Sequence, residues 1–201
     1  GPELDAMVKA VLEQAGLTPA EQYLSRHPHQ ISGGQRQRVC IARAIVLDPV
    51  VLLADEPISM LDVSIKWGII RLMKRLVAER SISLLYVTHD LATVGAICDR
   101  IAIMYLGRIV ETGPVDQVLA APRHPYTAAL VSAIPVAVPG GGRPAPDIKG
   151  AIPDATDIPP GCRSAPRCTR ATDLCRTDDP AMTGEGAWQA ACHHPRTEAA
   201  A

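Results

Sequence analysis

Ile31 to Pro57, ISGGQRQRVCIARAIVLDPVVLLADEP, carries the signals that decide the fold. Ser32-Gly33-Gly34-Gln35 has the form of a capping box: a serine hydroxyl takes an orphan N–H in the first turn of a helix, and a glutamine three residues on folds back to the serine N–H. A helix that starts this way points bare amides outward, where they suit a phosphate or another anion. The helix is expected to run to Asp48-Pro49, where proline ends it. Val50 to Ala54 is then continuously apolar, the pattern of a parallel strand covered on both faces. Asp55 and Glu56 stand at its carboxyl end, where open α/β sheets bind ligands.

Working outward toward the N-terminus, Leu4, Met7, Val8, Val11 and Leu12 recur at helical spacing, with Gly16 as the stop. Thr18-Pro19 opens a second short helix. The histidines of Arg26 to Gln30 have nothing nearby to complete a metal site and read as a solvated loop. Arg36, Arg38 and Arg43 read as the solvated face of the capped helix.

Toward the C-terminus, Val63, Ile65, Ile69, Ile70, Leu72, Met73, Leu76 and Val77 form the apolar stripe of a helix over Asp62 to Arg80. Ser81 to Val87 is a second apolar strand, ending at Thr88-His89-Asp90 before a helix over Leu91 to Cys98. Ile101 to Tyr105 and Arg108 to Glu111 predict a hairpin around Leu106-Gly107. Val115 to Ala120 and Tyr126 to Ala133 predict short helices, each preceded by proline. At Pro135 the composition changes. Val136 to Pro160 repeats Pro and Gly without periodicity, which marks a linker or an extended wrap, and Gly161 to His194 holds four of the six cysteines. The fold expected is α/β with a mainly parallel sheet over residues 1–134, followed by a small irregular Cys-rich extension over 135–201.

Composition bounds the function. With 201 residues, 47% hydrophobic and 20% charged, the chain buries a real core in one or two domains. Aromatic residues make up 3% with no Phe, so that core is aliphatic, which favours α/β over an aromatic-rich sandwich. Lys and Arg number 20 against 21 Asp and Glu, so no overall basic field favours nucleic acid, and no direct nucleic-acid partner is expected. The apolar runs fall short of the roughly 20 residues of a membrane-spanning helix, and no charged-then-apolar leader opens the chain.

A strand ending in Asp-Glu suits divalent-metal plus base chemistry: Asp55 holds Mg2+ through oxygen while Glu56 polarises a water. Alone, an acidic pair is more often a plain loop feature, and a strand-end histidine such as His89 is more often structural. The glycine-rich helix start, the acidic strand end and the histidine strand end gain their weight together and in this order.

These motifs resemble the ATP-binding subunits of ABC transporters. Ile31-Ser32-Gly33-Gly34-Gln35 resembles the ABC signature, Val51 to Glu56 the Walker B strand with its catalytic glutamate, Ser59-Met60-Leu61-Asp62 the D-loop, and His89 the switch histidine. His124-Pro125-Tyr126-Thr127, Tyr105 to Glu111 and the cysteine tail resemble the oligopeptide/dipeptide importer branch. The resemblance covers about Leu4 to Pro195 and implies a P-loop NTPase fold, ATP and Mg2+. By implication Asp55 holds Mg2+, Glu56 activates the attacking water, His89 contacts the γ-phosphate and Asp62 bridges two ATPase subunits. Ser32, Gly33, Gly34 and Gln35 serve a nucleotide bound mainly to the other subunit. The implied partners are a second ATPase subunit (homo- or heterodimer), two transmembrane permease subunits and an extracytoplasmic substrate-binding protein. The implied location is the cytoplasmic face of a bacterial or archaeal membrane.

Two departures stand out. No GxxxxGKS/T loop occurs in the 201 residues, nor the segment that usually supplies the Q-loop glutamine, so the stretch is expected to be the C-terminal portion of a longer ATPase, inactive by itself. Ile58 and Met60 stand where the family more often has Thr and Ala, which is expected to alter D-loop packing.

Cys162, Cys168, Cys175 and Cys192 are spaced C-x5-C-x6-C-x16-C. Cys40 and Cys98 fall in expected helices and read as buried apolar fillers. A Pro/Gly-punctuated segment with little core of its own needs a staple, and a disulfide is disfavoured in a cytosolic ATPase. Metal is the better reading. Zinc prefers a tight C-x2-4-C knuckle that is absent here, and wider spacings suit a larger cluster reached from separate turns. Similar tails in peptide-importer ATPases carry a 4Fe-4S cluster, so iron–sulfur is favoured, with Zn2+ as the alternative. His193 and His194 read as solvated tail residues rather than ligands. The competing functions are a non-transport ABC ATPase acting on nucleic acid or the ribosome, and a non-enzymatic metal-binding fragment.

Overall fold

The structure is a computed structural model that describes residues 1–135, 147–151 and 153–197. Two compact units divide the chain, Gly1–Asp90 and Leu91–Ala201.

In the first unit, α1 (Pro2–Gln14) has proline in its first turn with Glu3 and Asp5, which suits the positive end of the helix dipole. It packs Val11 and Leu12 with Ala15, Leu17, Ala20 and Ala42. A single turn, α2 (Glu21–Leu24), leads to a 3-10 turn at Pro28–Gln30 and then to α3 (Gly33–Ile45). The strand β1 (Val51–Asp55) pairs in parallel with β2 (Ser83–Val87), and α4 (Val63–Arg80) connects them. Ile69, Ile70, Leu72, Met73 and Leu76 of α4 are buried, each worth about 1.5–3 kcal/mol of burial. Arg80 fastens the helix ends, donating to Ile45 O, Asp48 and Gln14. The α3–α4 contact needs Gly34, because a Cβ there would lie 2.8 Å from Ile65 Cγ2.

In the second unit, α5 (Leu91–Ile97) precedes an antiparallel hairpin of β3 (Arg100–Tyr105) and β4 (Arg108–Pro114). Leu106 and Gly107, at φ 45 and 75, form the two-residue turn in the left-handed region that matches strand twist. Next come α6 (Val115–Ala120), α7 (Pro125–Ser132), α8 (Asp173–Thr177), β5 (Met182–Glu185) and β6 (Trp188–Ala191). The sheet order is β3-β4-β6-β5, and β3, β4, α5 and α6 enclose a core of Val94, Ile101, Ile103, Tyr105, Val110, Val115 and Val118.

The sheets are therefore not mainly parallel: the parallel one has two strands, and the larger one has four antiparallel strands. The cysteine segment is less irregular than expected, because β6 adds to the edge of β4. Nor are β1 and β2 covered on both faces. Strand alternation puts Val51, Leu53, Leu85 and Val87 on one exposed face, and Ala54 is buried on the other. The helix expected to reach Asp48 ends at Ile45, where Asp48 turns with φ 50. Cys40 is exposed rather than a buried filler, being on the outer side of α3, and Cys98 is half-buried. Part of the expected linker, 136–146 and 152, lies outside the described residues.

Candidate functional site

The capping box forms as the sequence dictates. Ser32 Oγ accepts from Gln35 N–H at 3.2 Å, and Gln35 Oε1 accepts from Ser32 N–H at 2.9 Å. Gln35 Nε2 also lies 3.4 Å from the Tyr23 hydroxyl, which holds the side chain in place. At Gly33 an added Cβ would meet nothing closer than 3.6 Å, so packing within the chain does not demand glycine there.

The ends of β1 and β2 bring Glu56 and His89 together. Glu56 N–H donates to Val87 O at 2.9 Å, extending the parallel ladder one residue beyond β1. Its backbone has φ 46, a left-handed conformation costing about 1–3 kcal/mol in a non-glycine residue, of the kind that collects at functional sites. Glu56 Oε1 accepts the His89 backbone N–H at 3.1 Å and lies 2.7 Å from His89 Nδ1. A carboxylate only accepts, so Nδ1 carries the proton and Nε2 is the ring atom left for a ligand. Glu56 Oε2 is buried and has no hydrogen-bond partner, an acceptor lacking its donor.

Asp55 is exposed at the strand end beside this pair. Asp62 caps α4 by position, but its carboxylate makes no cap bond and faces outward, exposed. Of the two D-loop departures, Ile58 is buried, at 1% exposure, and Met60 is bare, at 95%. Ile58 anchors the loop; the structure gives Met60 no packing role.

In the second unit, Cys162, Cys168, Cys175 and Cys192 line one cavity together with His193 and His194. They come from successive turns: Cys162 N–H donates to Cys175 O at 2.9 Å, Ala165 N–H to Cys162 O at 2.9 Å, and Cys168 N–H to Ala165 O at 3.3 Å. Burial pushes the Cys192 thiol up to about 11 and raises Cys168 as well. Among the described residues, however, no group of three or more His, Cys, Asp or Glu is placed to hold a metal ion. The expected metal has no ready-made coordination geometry here. The neighbouring histidines are engaged elsewhere, His193 Nε2 with Asp178 O at 3.0 Å and His194 Nε2 with Thr172 Oγ1 at 3.0 Å.

Sequence reasoning missed a buried carboxylate. Glu111, fully buried, accepts from Arg123 N–H, His124 N–H and Trp188 Nε1–H, each at 2.9 Å. Arg123 also lies over the Trp188 ring at 4.0 Å. His124 is fully buried; its Nδ1 accepts the Tyr126 N–H at the start of α7, and burial lowers its pKa to about 4. An acidic residue inside a strand was the one available signal.

Residues 3–59 match the ABC transporter family model, and residues 110–175 match the model of the oligopeptide/dipeptide transporter C-terminal region. Over these stretches the chain is similar to ABC transporters and, in its C-terminal part, to the oligopeptide/dipeptide transporter C-terminal region. The first match takes in the capping box and the Asp55-Glu56 strand end, and the second takes in Glu111, His124 and three of the four tail cysteines. Among ABC relatives, the oligopeptide transport ATP-binding protein AppD of Bacillus subtilis is 44% identical over 172 residues, 86% of this chain and 52% of that protein. The dipeptide transport ATP-binding protein DppF of Haemophilus influenzae is 43% identical over 173 residues, 86% of this chain and 52% of that protein. The di/tripeptide transport ATP-binding protein DppF of Pseudomonas aeruginosa is 42% identical over 187 residues, 93% and 57% respectively. The chain thus spans about half the length of the curated ABC relatives it matches. Among the described residues no helix is long and apolar enough to cross a membrane.

Proposed function

We propose that this chain is part of the ATP-hydrolysing subunit of a peptide importer, held at the cytoplasmic face of the membrane by permease subunits. The observation that carries it is the Glu56–His89 pair at adjacent parallel strand ends, with Glu56 Oε2 buried and lacking a donor. That oxygen takes the proton of the attacking water, while His89 fixes the carboxylate through Oε1 and offers Nε2 to the γ-phosphate. Asp55 would supply an oxygen ligand to Mg2+. Ser32, Gly33, Gly34 and Gln35 present the start of α3 to the nucleotide of a second ATPase subunit, and the uncapped carboxylate of Asp62 reaches across to that subunit. Catalysis is then positioning plus charge neutralisation. The peptide substrate follows from the names of the relatives and the importer-type C-terminal region.

The domain reading goes with this proposal: residues 1–134 belong to the ATPase domain, and 135–201 form the extension, joined where β6 pairs with β4. A 4Fe-4S cluster on Cys162, Cys168, Cys175 and Cys192 is part of the same reading, with zinc as the alternative. Its support is that these four cysteines share one cavity while Cys40 and Cys98 do not line it. Bound there, the group would staple successive turns of the extension.

In the full-length subunit assembled with its permeases, Glu56→Gln is expected to cut ATP turnover at least a hundredfold, the scale of a lost general base, with nucleotide binding retained. Unchanged turnover would overturn the assignment.

A further inference from the structure

Lys66 is a cation at the wrong end of a helix. It lies in the first turn of α4, which has no acidic residue, at the positive end of the dipole where Asp or Glu is favoured. Its ammonium reaches instead to the loop after β2 and lies 3.4 Å from Asp90 Oδ2. Only 24% and 26% of the two side chains are exposed, so the pair is better sheltered from water than an ordinary surface pair and holds more strongly.

Asp90 is the residue after His89, whose side chain is 76% exposed and so is not held by packing. Polar contacts hold it. Glu56 Oε1 accepts the His89 backbone N–H and meets Nδ1. Thr88 Oγ1 accepts the Asp90 N–H at 3.0 Å, which closes a turn over His89, and the Asp90 carboxylate is tied to Lys66. Lys66 N–H donates in turn to Asp62 O at 2.9 Å. One ion pair thus joins the start of α4 to the turn that carries His89.

We propose that Lys66 and Asp90 are positioning residues for His89, fixing the turn that aims its Nε2 at the γ-phosphate; this rests on the ATPase reading above. Both act through His89. With the pair broken, the turn loses one of its ties, and the exposed ring spends part of its time in orientations in which Nε2 misses the phosphate. Turnover falls with the productive fraction, while ground-state nucleotide binding, made by other groups, is retained.

The test is steady-state ATP turnover by the full-length subunit assembled with its permeases, with melting temperature measured on the same preparations. Lys66→Met removes the charge and keeps a long, unbranched side chain that suits a helix. It is expected to lower kcat about tenfold, short of the roughly hundredfold that a misplacement of about 1 Å can cost, with KM for ATP changed by less than about twofold. Asp90→Asn is expected to do the same, and the double variant to be no worse than either single one, since two groups that act as a unit are not additive. Lys66→Arg, which keeps the charge, is expected to restore most of the turnover. Unchanged kcat in Lys66→Met and Asp90→Asn, with or without a lower melting temperature, means that the pair only fastens α4 to the loop and overturns the inference. So does a double variant in which the two losses multiply. Should Lys66→Met fail to assemble, Asp90→Asn carries the test by the same criterion. Unchanged turnover in Glu56→Gln removes the ATPase reading and the inference with it, whereas a loss there beside unchanged Lys66→Met and Asp90→Asn removes the inference alone.

Discussion

The two units hold their polar groups in opposite ways. In Gly1–Asp90 the groups stand open at element ends: Ser32 and Gln35 start α3, Glu56 and His89 close the ends of paired strands, and Asp55 and Asp62 are exposed. In Leu91–Ala201 the central group is closed off. Glu111 is fully buried, and its three donors lie 12, 13 and 77 residues away in sequence. The open arrangement suits groups that must meet and release a ligand. The closed one suits a lock, tying β4, the start of α7 and β6 together.

Breaking the lock should have the largest effect. Glu111→Gln sets an amide NH2 against N–H donors that a carboxylate satisfied, and is expected to cost about 3 kcal/mol. Urea unfolding of the full-length subunit, followed by circular dichroism, checks it. A loss under about 1 kcal/mol would mean that the donors are satisfied without the carboxylate.

A smaller effect sharpens the same contrast. His124 titrates near 4 in the folded unit against about 6.5 unfolded. Between these values the unfolded chain binds the proton and the folded one does not, so stability falls as pH drops from 6.5 toward 4. The loss from pH 7 to pH 4.5 is about 2 kcal/mol. His124→Asn keeps an acceptor for the Tyr126 N–H and is expected to remove that part of the acid slope. An unaltered slope would place the acid sensitivity elsewhere.

The same contrast explains what the sequence made legible. The Ser32–Gln35 box, the strand ending in Asp55-Glu56 and the Leu106-Gly107 hairpin are written in neighbouring residues, and each appears where the spacing puts it. The β4–β6 pairing is not, because an antiparallel contact between Glu111 and Ala190 leaves no periodic trace in either segment. A mainly parallel sheet was expected because apolar strands alternate with helices over Val50 to Cys98. That rule stops at β3, which pairs with β4 across a two-residue turn in a separate, antiparallel sheet.

The central claim is that residues 31–57 serve two nucleotide sites, with Glu56 acting on one and Ser32 to Gln35 on the other. The direct measurement is ATP turnover by full-length dimers carrying Glu56→Gln and Gly33→Asp, the latter placing a negative charge where a phosphate is expected. With the two changes on different subunits, both fall on one site, and about half of the turnover should remain, because the second site is intact. With both on one subunit, each site loses a component, and turnover should fall to background. Equal turnover in the two arrangements would contradict the account.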